Sequence, residues 1–215
     1  MVAATKIVCV GRNYAAHAAE LNNPIPAEPL LFIKPPSSLA SLPKVRIPTH
    51  LGACHHEVEL AVQIGQRLQN VTPEQALEAI TGLTLGLDLT LRDVQNRLKQ
   101  QGHPWERAKA FDGACVLAPW LAVTAANRNL LQTAQFTLYC DQQLRQQGDA
   151  QHMLMPIAEL VAHISDVFTL EPGDIVLTGT PAGVGALAIG QQLGLNLHWN
   201  GQHHQWQGQV EGHDG

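Results

Sequence analysis

Apolar residues alternate with polar ones, or form short unbroken blocks, along most of this chain. Segments 6–11 (KIVCVG), 28–35 (EPLLFIKP), 55–65 (HHEVELAVQIG), 136–144 (FTLYCDQQL), 174–181 (DIVLTGTP) and 192–199 (QLGLNLHW) are rich in Val, Ile, Leu and Phe. Turn residues bound them, which predicts strands. Helical spacing is rarer. It predicts a short helix over 15–21, one over 72–82 opened by Thr72 and Pro73, one over 90–102 stopped by Gly102, and an amphipathic one over 156–168. Strands dominate without strict βαβ alternation, so the expected fold class is α+β and mainly β, not a parallel nucleotide-binding sheet. No repeat or long linker divides the chain, and residues 1–215 read as a single domain. The Pro-rich stretch 34–48 reads as an irregular connection. The segment after Leu197, with His198, His203, His204 and His213, reads as a polar, solvated tail from about residue 198.

Composition narrows the function classes. With 215 residues, 45% of them apolar, the chain can build a sizeable core. The net charge is only -5 and no basic stripe occurs, so nucleic acid is not an expected partner. Neither a signal-peptide pattern nor a long apolar run is present, so no membrane association is expected. Cys9, Cys54, Cys115 and Cys140 are widely spaced, without C-x-x-C. That suits a reducing cytoplasm and argues against zinc or iron–sulfur ligation.

The chemistry concentrates in acidic positions within apolar runs. In HHEVELAV, strand alternation puts Glu57 and Glu59 on one face and Val58 and Leu60 on the other. Two carboxylates that close repel and lose hydration when buried, and a divalent cation relieves both penalties. A solvent-facing strand edge explains the same pair more plainly. Asp88, however, stands alone among Leu83, Leu85, Leu87 and Leu89, where an unpaired charge is costly. Three carboxylates without thiolates suit Mg²⁺ or Mn²⁺, and Ca²⁺ is also compatible. Lys109 lies in the apolar stretch PWERAKAF. Either its stem packs on Trp105 with the amine in water, or its charge steadies an enolate or carboxylate. His17 and Glu20 share a helix face at i and i+3, the arrangement of an oriented base or of surface electrostatics. TGTPAGVG (178–185) lacks the Lys and spacing of a phosphate loop, but such a turn can present backbone N–H groups to a carboxylate.

Taken in order, GRNYAAH, LFIKP, HHEVELAVQIG, LDLTLRDVQ, PWERAKAFDG and GDIVLTGTPAGVG resemble the fumarylacetoacetate hydrolase family, most of all its short bacterial and mitochondrial members. The resemblance runs from about Lys6 to about Leu197. It implies a mixed β-roll of stacked sheets with few helices, assembled as a homodimer, with Mg²⁺ or Mn²⁺ in each subunit. By the same resemblance Glu57, Glu59 and Asp88 are the metal ligands and Lys109 the neighbouring cation. His17 is the base on a lid, paired with Glu20. Arg12, Asn13, Arg92, Gln95, Gly179 and Thr180 contact substrate. The implied substrate is a small 2-keto or 2,4-diketo acid, processed through a metal-bound enolate. Hydrolysis of a C–C bond in acylpyruvates such as fumarylpyruvate or acetylpyruvate is the first expectation. Oxaloacetate tautomerisation or decarboxylation is the alternative, and a metal-binding protein without turnover a remote third. KIVCVGRNY has no counterpart to the fourth acidic ligand of the larger fumarylacetoacetate hydrolases, and their extra N-terminal domain is not in this sequence, so fumarylacetoacetate is not the expected substrate.

Overall fold

A computed structural model describes residues 3–21 and 24–213; Asp214 and Gly215, at the end of the expected tail, lie outside them. The strands of the first half are β1 (Ile7–Gly11), β2 (Leu30–Lys34), β3 (Leu39–Ser41), β4 (Lys44–Pro48), β5 (Cys54–His56), β6 (Val58–Ile64), β7 (Ile80–Asp88) and β8 (Thr90–Leu91). Those of the second half are β9 (Cys115–Leu117), β10 (Leu121–Ala122), β11 (Gln135–Cys140), β12 (Gln143–Asp149), β13 (Ile175–Leu177), β14 (Gly185–Ala186), β15 (Gln192–Trp199) and β16 (Gln202–His213). Between them run α1 (Ala15–Glu20), α2 (Pro73–Ala79), α3 (Arg92–Gln101), α4 (Glu106–Lys109) and α5 (Ile157–Val167). The largest sheet has the order β2-β1-β13-β6-β7-β9-β3, with β10 on β7. A second has the order β12-β11-β15-β16-β4, and a small third is β14-β5-β8. Parallel and antiparallel pairs mix in the first two. The mainly β fold built of mixed sheets is the one expected.

Alternation along the largest sheet separates two apolar faces. Val8, Val10, Leu60, Val62, Leu83, Leu85, Leu87 and Val176 join the main core, together with α2 and α5. Ile7, Cys9, Ala61, Cys115, Leu117, Ile175 and Leu177 form a smaller cluster on the other face. Glu59 has the parity of Ala61, and Asp88 pairs with Cys115, so both carboxylates belong to that second face. The helices have local causes. Thr72 and Gln75 form a reciprocal capping box at the start of α2, with Pro73 in its first turn. Gly102 takes the left-handed conformation, φ 65°, that ends α3.

Several expected boundaries move. Segment 55–65 is two strands, broken at Glu57, because β5 pairs with β8 while β6 pairs with β7 in another sheet. The helix expected over 72–82 stops at Ala79, and Ile80 opens β7. Thr90 and Leu91 extend as β8 before α3 begins. Segment 136–144 turns over at Asp141 and Gln142, both at positive φ, into a hairpin of β11 and β12. Of segment 174–181 only Ile175–Leu177 is strand. The stretch 34–48 holds a turn of 3-10 helix and two strands. The expected solvated tail is β16, the longest strand among the described residues, and it carries His203, His204 and His213. Backbone pairing with β15 and β4 holds it in place; its polar side chains disguised a strand that buries little more than Gly208 and Val210.

Candidate metal centre and active site

Glu57, Glu59 and Asp88 reach one spot from three different backbone settings. Glu59 lies within β6, opposite Gly86 of β7. Asp88 is the last residue of β7. Glu57 occupies the break between β5 and β6, where its carbonyl accepts the Asp88 N–H at 2.8 Å. The break is braced from β12: Gln146 Oε1 accepts the Val58 N–H and lies 2.9 Å from His56 Nδ1. Carboxylate oxygens of the three residues fall within 4.8 Å of one another, closer than an unbroken strand would bring the two glutamates. All three are at most 5% exposed, which excludes the solvent-edge reading.

Cations surround this cluster unevenly. Lys109 Nζ donates to Glu57 Oε2 at 2.8 Å and to Asp88 Oδ2 at 2.7 Å. Its amine is buried rather than hydrated, 5.2 Å from the centre of the Phe32 ring. Arg92 donates to the other oxygen of Glu57 and to Gln95 Oε1 at 2.6 Å. Lys34, fully buried, lies 2.7 Å from Asp88 Oδ1 and donates to the carbonyls of Lys109 and Ala114. Burial alone would raise the Glu57 pKa, but Lys109, Arg92 and His17 outweigh it and hold the carboxyl well below its ordinary range. For Lys109 burial works against the charged form, yet Asp88 and Glu57 keep its pKa above the ordinary lysine value. Glu59 differs: burial, then the charges of Asp88 and Glu57, push its pKa well up. Among the described residues no ion pair reaches Glu59, and its Oε2 accepts the Gly179 N–H at 2.7 Å. A buried carboxylate short of positive charge, beside two others, with oxygen donors only, fits a hard divalent cation such as Mg²⁺ or Mn²⁺.

His17 and Glu20 stand on α1, with His17 Nδ1 3.2 Å from Glu20 Oε2. Glu20 Oε1 also accepts the Gly183 N–H at 3.0 Å, tying α1 to the glycine-rich turn. That turn therefore does present N–H groups to carboxylates, but to the protein's own Glu59 and Glu20. Gly179 requires its identity: φ is +101°, and a Cβ there would lie 2.7 Å from Asn13 Cβ. His17, Arg12, Arg92, Gln95, Thr180, Lys109 and the three acidic residues line one pocket, joined by Phe32, Lys99 and Trp105. Two expected substrate contacts do not line it. Asn13 spends its amide on Met155 and the Thr178 carbonyl, and Gly179 orients Glu59. The Thr180 hydroxyl donates to the Val58 carbonyl and accepts from Gln146. Sequence reasoning overlooked Lys34, Lys99 and Gln146. A lysine ending the apolar strand LLFIK was a signal for the first, and the i, i+3, i+7 spacing of Arg92, Gln95 and Lys99 for the second; Gln146 left none.

A mainly β fold with a buried carboxylate trio, a lysine across two of its members and a His–Glu pair on the same pocket defines an enzyme-like site able to hold a divalent metal. The family model described as Fumarylacetoacetate (FAA) hydrolase C-terminal matches residues 6–208, and the chain belongs to this family of enzymes. It is 46% identical over 190 residues to an oxaloacetate tautomerase of Escherichia coli (strain K12), covering 88% of this chain and 86% of that protein. It is 42% identical over 198 residues to a mitochondrial oxaloacetate tautomerase of Oryza sativa subsp. japonica, covering 90% and 85%. Among solved structures it resembles fumarylpyruvate hydrolase from Pseudomonas aeruginosa in complex with Mn²⁺ and pyruvate, at TM-score 0.87 and 34% identity, covering 98% and 91%. These relatives favour the oxaloacetate alternative over the acylpyruvate hydrolysis first expected. No helix among the described residues is long and apolar enough to cross a membrane.

Proposed function

We propose that this protein is an oxaloacetate keto–enol tautomerase that uses Mg²⁺ or Mn²⁺ held by Glu57, Glu59 and Asp88, with residues 1–215 acting as one catalytic domain. The observation that carries the reading is the convergence of the three carboxylates under Lys109, on a pocket also lined by His17. The names of the relatives above support oxaloacetate as the substrate. A divalent cation held by Glu57, Glu59 and Asp88 would supply Lewis acidity to a bound keto acid. Lys109, kept protonated by its two carboxylates, offsets negative charge on the C2 oxygen as the enol loses its proton. His17, oriented through Nδ1 by Glu20, takes up that enol proton on Nε2 and delivers it to C3, which completes the keto form. In the reverse direction the same nitrogen removes the C3 proton.

A second reading is hydrolysis of a fumarylpyruvate-like acylpyruvate, favoured by the likeness to the Pseudomonas aeruginosa hydrolase; His17 would then activate water. One panel decides. Purified protein with Mg²⁺ or Mn²⁺ is given enol-oxaloacetate, acetylpyruvate and fumarylpyruvate, with CO₂ release followed separately. The expected result is metal-dependent loss of enol absorbance that outpaces CO₂ release and both cleavages. A higher kcat/KM for cleavage of either acylpyruvate would replace the tautomerase reading with the hydrolase one, and dominant CO₂ release would make it a decarboxylase. The homodimer and cytoplasmic location implied by the resemblance remain part of this proposal. Sedimentation at micromolar concentration tests the first.

A further inference from the structure

The pocket carries two cations that the proposed proton transfer does not use. Its deepest residues are the buried carboxylates, Lys109, and Arg92 paired with Glu57 and Gln95. Arg12 and Lys99 line the same pocket but are only half buried, so they stand nearer its mouth, as do Phe32 and Trp105. They come from separate segments. Lys99 lies seven residues after Arg92 on α3, two helical turns along the same face. Arg12 sits in the turn between β1 and α1, at φ 63°. The two feel each other: burial lowers the Lys99 pKa, and repulsion from Arg12 and Arg92 lowers it further. The aromatic pair Phe32 and Trp105, edge to face at 5.9 Å, lines the same pocket.

We propose that Lys99, with Arg12, forms a subsite for the second carboxylate of the substrate, so that the pocket selects 2-keto dicarboxylates over 2-keto acids ending in an uncharged group. This rests on the keto-acid reading above for the buried end of the ligand. The keto-acid end meets the carboxylate trio and Lys109, and the distal carboxylate meets the half-buried cations. A substrate with an uncharged end would gain nothing from the charges of Lys99 and Arg12.

The test compares wild type with Lys99→Met, Lys99→Arg and Lys99→Glu, each first checked for a wild-type unfolding midpoint. Ketonisation of enol-oxaloacetate and of enol-phenylpyruvate, whose distal group is an uncharged ring, is measured with Mn²⁺. A charge-assisted hydrogen bond corresponds to about 10- to 100-fold in affinity. Lys99→Met should therefore lower the ratio of kcat/KM for oxaloacetate to that for phenylpyruvate by roughly that factor, chiefly through KM. Lys99→Arg should restore most of it and Lys99→Glu lower it further. A ratio in Lys99→Met within about twofold of wild type, or no recovery with Lys99→Arg, would overturn the subsite. Calorimetric binding of oxaloacetate and 2-oxobutanoate, which differ only in that carboxylate, to the Mg²⁺-loaded proteins separates this proposal from the tautomerase reading. If wild type ketonises neither enol yet prefers oxaloacetate, and Lys99→Met erases the preference, the subsite stands and the reaction is wrong. If wild type ketonises oxaloacetate but binds both acids equally, the reaction stands and the subsite falls.

Discussion

Glu59 concentrates the energetics of the centre in one side chain. It is 1% exposed, faces two other carboxylates and has one backbone N–H for a partner. In the metal-free protein its charge is a burden, because burial and like charges both oppose ionisation. Glu59→Gln keeps the shape and removes the charge, so the metal-free variant should be at least as stable to urea as wild type. Metal binding should nevertheless be lost. A ligand at 100 times its dissociation constant stabilises a fold by about 2.7 kcal/mol. Mn²⁺ at that level should therefore raise the wild-type unfolding free energy by roughly that amount and the Glu59→Gln value hardly at all. Removal of the metal with a chelator should reverse the wild-type gain. Equal stabilisation of both proteins would place the cation elsewhere.

At the scale of elements, α1 is a short helix held by its side chains more than by its length. Six residues cannot form a stable helix alone. The contacts of Glu20 with His17 and with the Gly183 N–H tether it to the turn that also supports Glu59. This links His17 to the glycine-rich turn through Glu20. General-base or general-acid assistance contributes about 10²–10⁴-fold. His17→Ala should slow enol-oxaloacetate ketonisation by a factor of that order, while the Mn²⁺ affinity, read by titration, changes little. Wild-type turnover in His17→Ala would transfer proton delivery to another group and leave α1 as a cover for substrate.

Across the whole molecule, the chain's beginning is fastened to its last third by Asp174. Its Oδ1 accepts from Thr5 N and Oγ1, both at 2.8 Å, and its Oδ2 lies 2.5 Å from Lys6 Nζ and accepts the Glu171 N–H at 2.9 Å. These bonds align β1 beside β13 in the parallel pair that carries the core of the largest sheet. Burial acts to raise the Asp174 pKa, but the backbone bond from Glu171 and the bonds from Lys6 and Thr5 prevail and set it below the ordinary 3.8. The unfolded chain therefore binds this proton first as pH falls. The stabilisation is complete above 3.8 and is lost as pH drops through the lower folded value. Urea unfolding with chelator present should show Asp174→Asn less stable than wild type at neutral pH, by about 1.5–3 kcal/mol for bonds to a charged group. The gap should close below pH 3.8. A gap that persists undiminished at low pH would mean the loss is one of packing.

Much of this protein is determined by local pattern. Alternating Val, Ile and Leu in 6–11, 58–64 and 192–199 commit those segments to strands, and Thr72 with Gln75 starts α2 wherever it packs. The isolation of Asp88 among leucines announced a charge needing company, since an apolar run tolerates no lone carboxylate. What no local pattern decides is which sheet a strand joins and who meets across it. The break at Glu57 exists because β5 and β6 serve different sheets, and only that break lets Glu57 and Glu59 converge. Lys34, Gln146 and the polar strand β16 stayed hidden for the same reason. Their partners lie 54, 34 and at least 154 residues away for Asp88, Thr180 and β4. A buried cation or an amide bridge is stabilised by those distant partners, and the strand of Gln and His by pairing with β15 and β4, through contacts that composition and spacing do not encode.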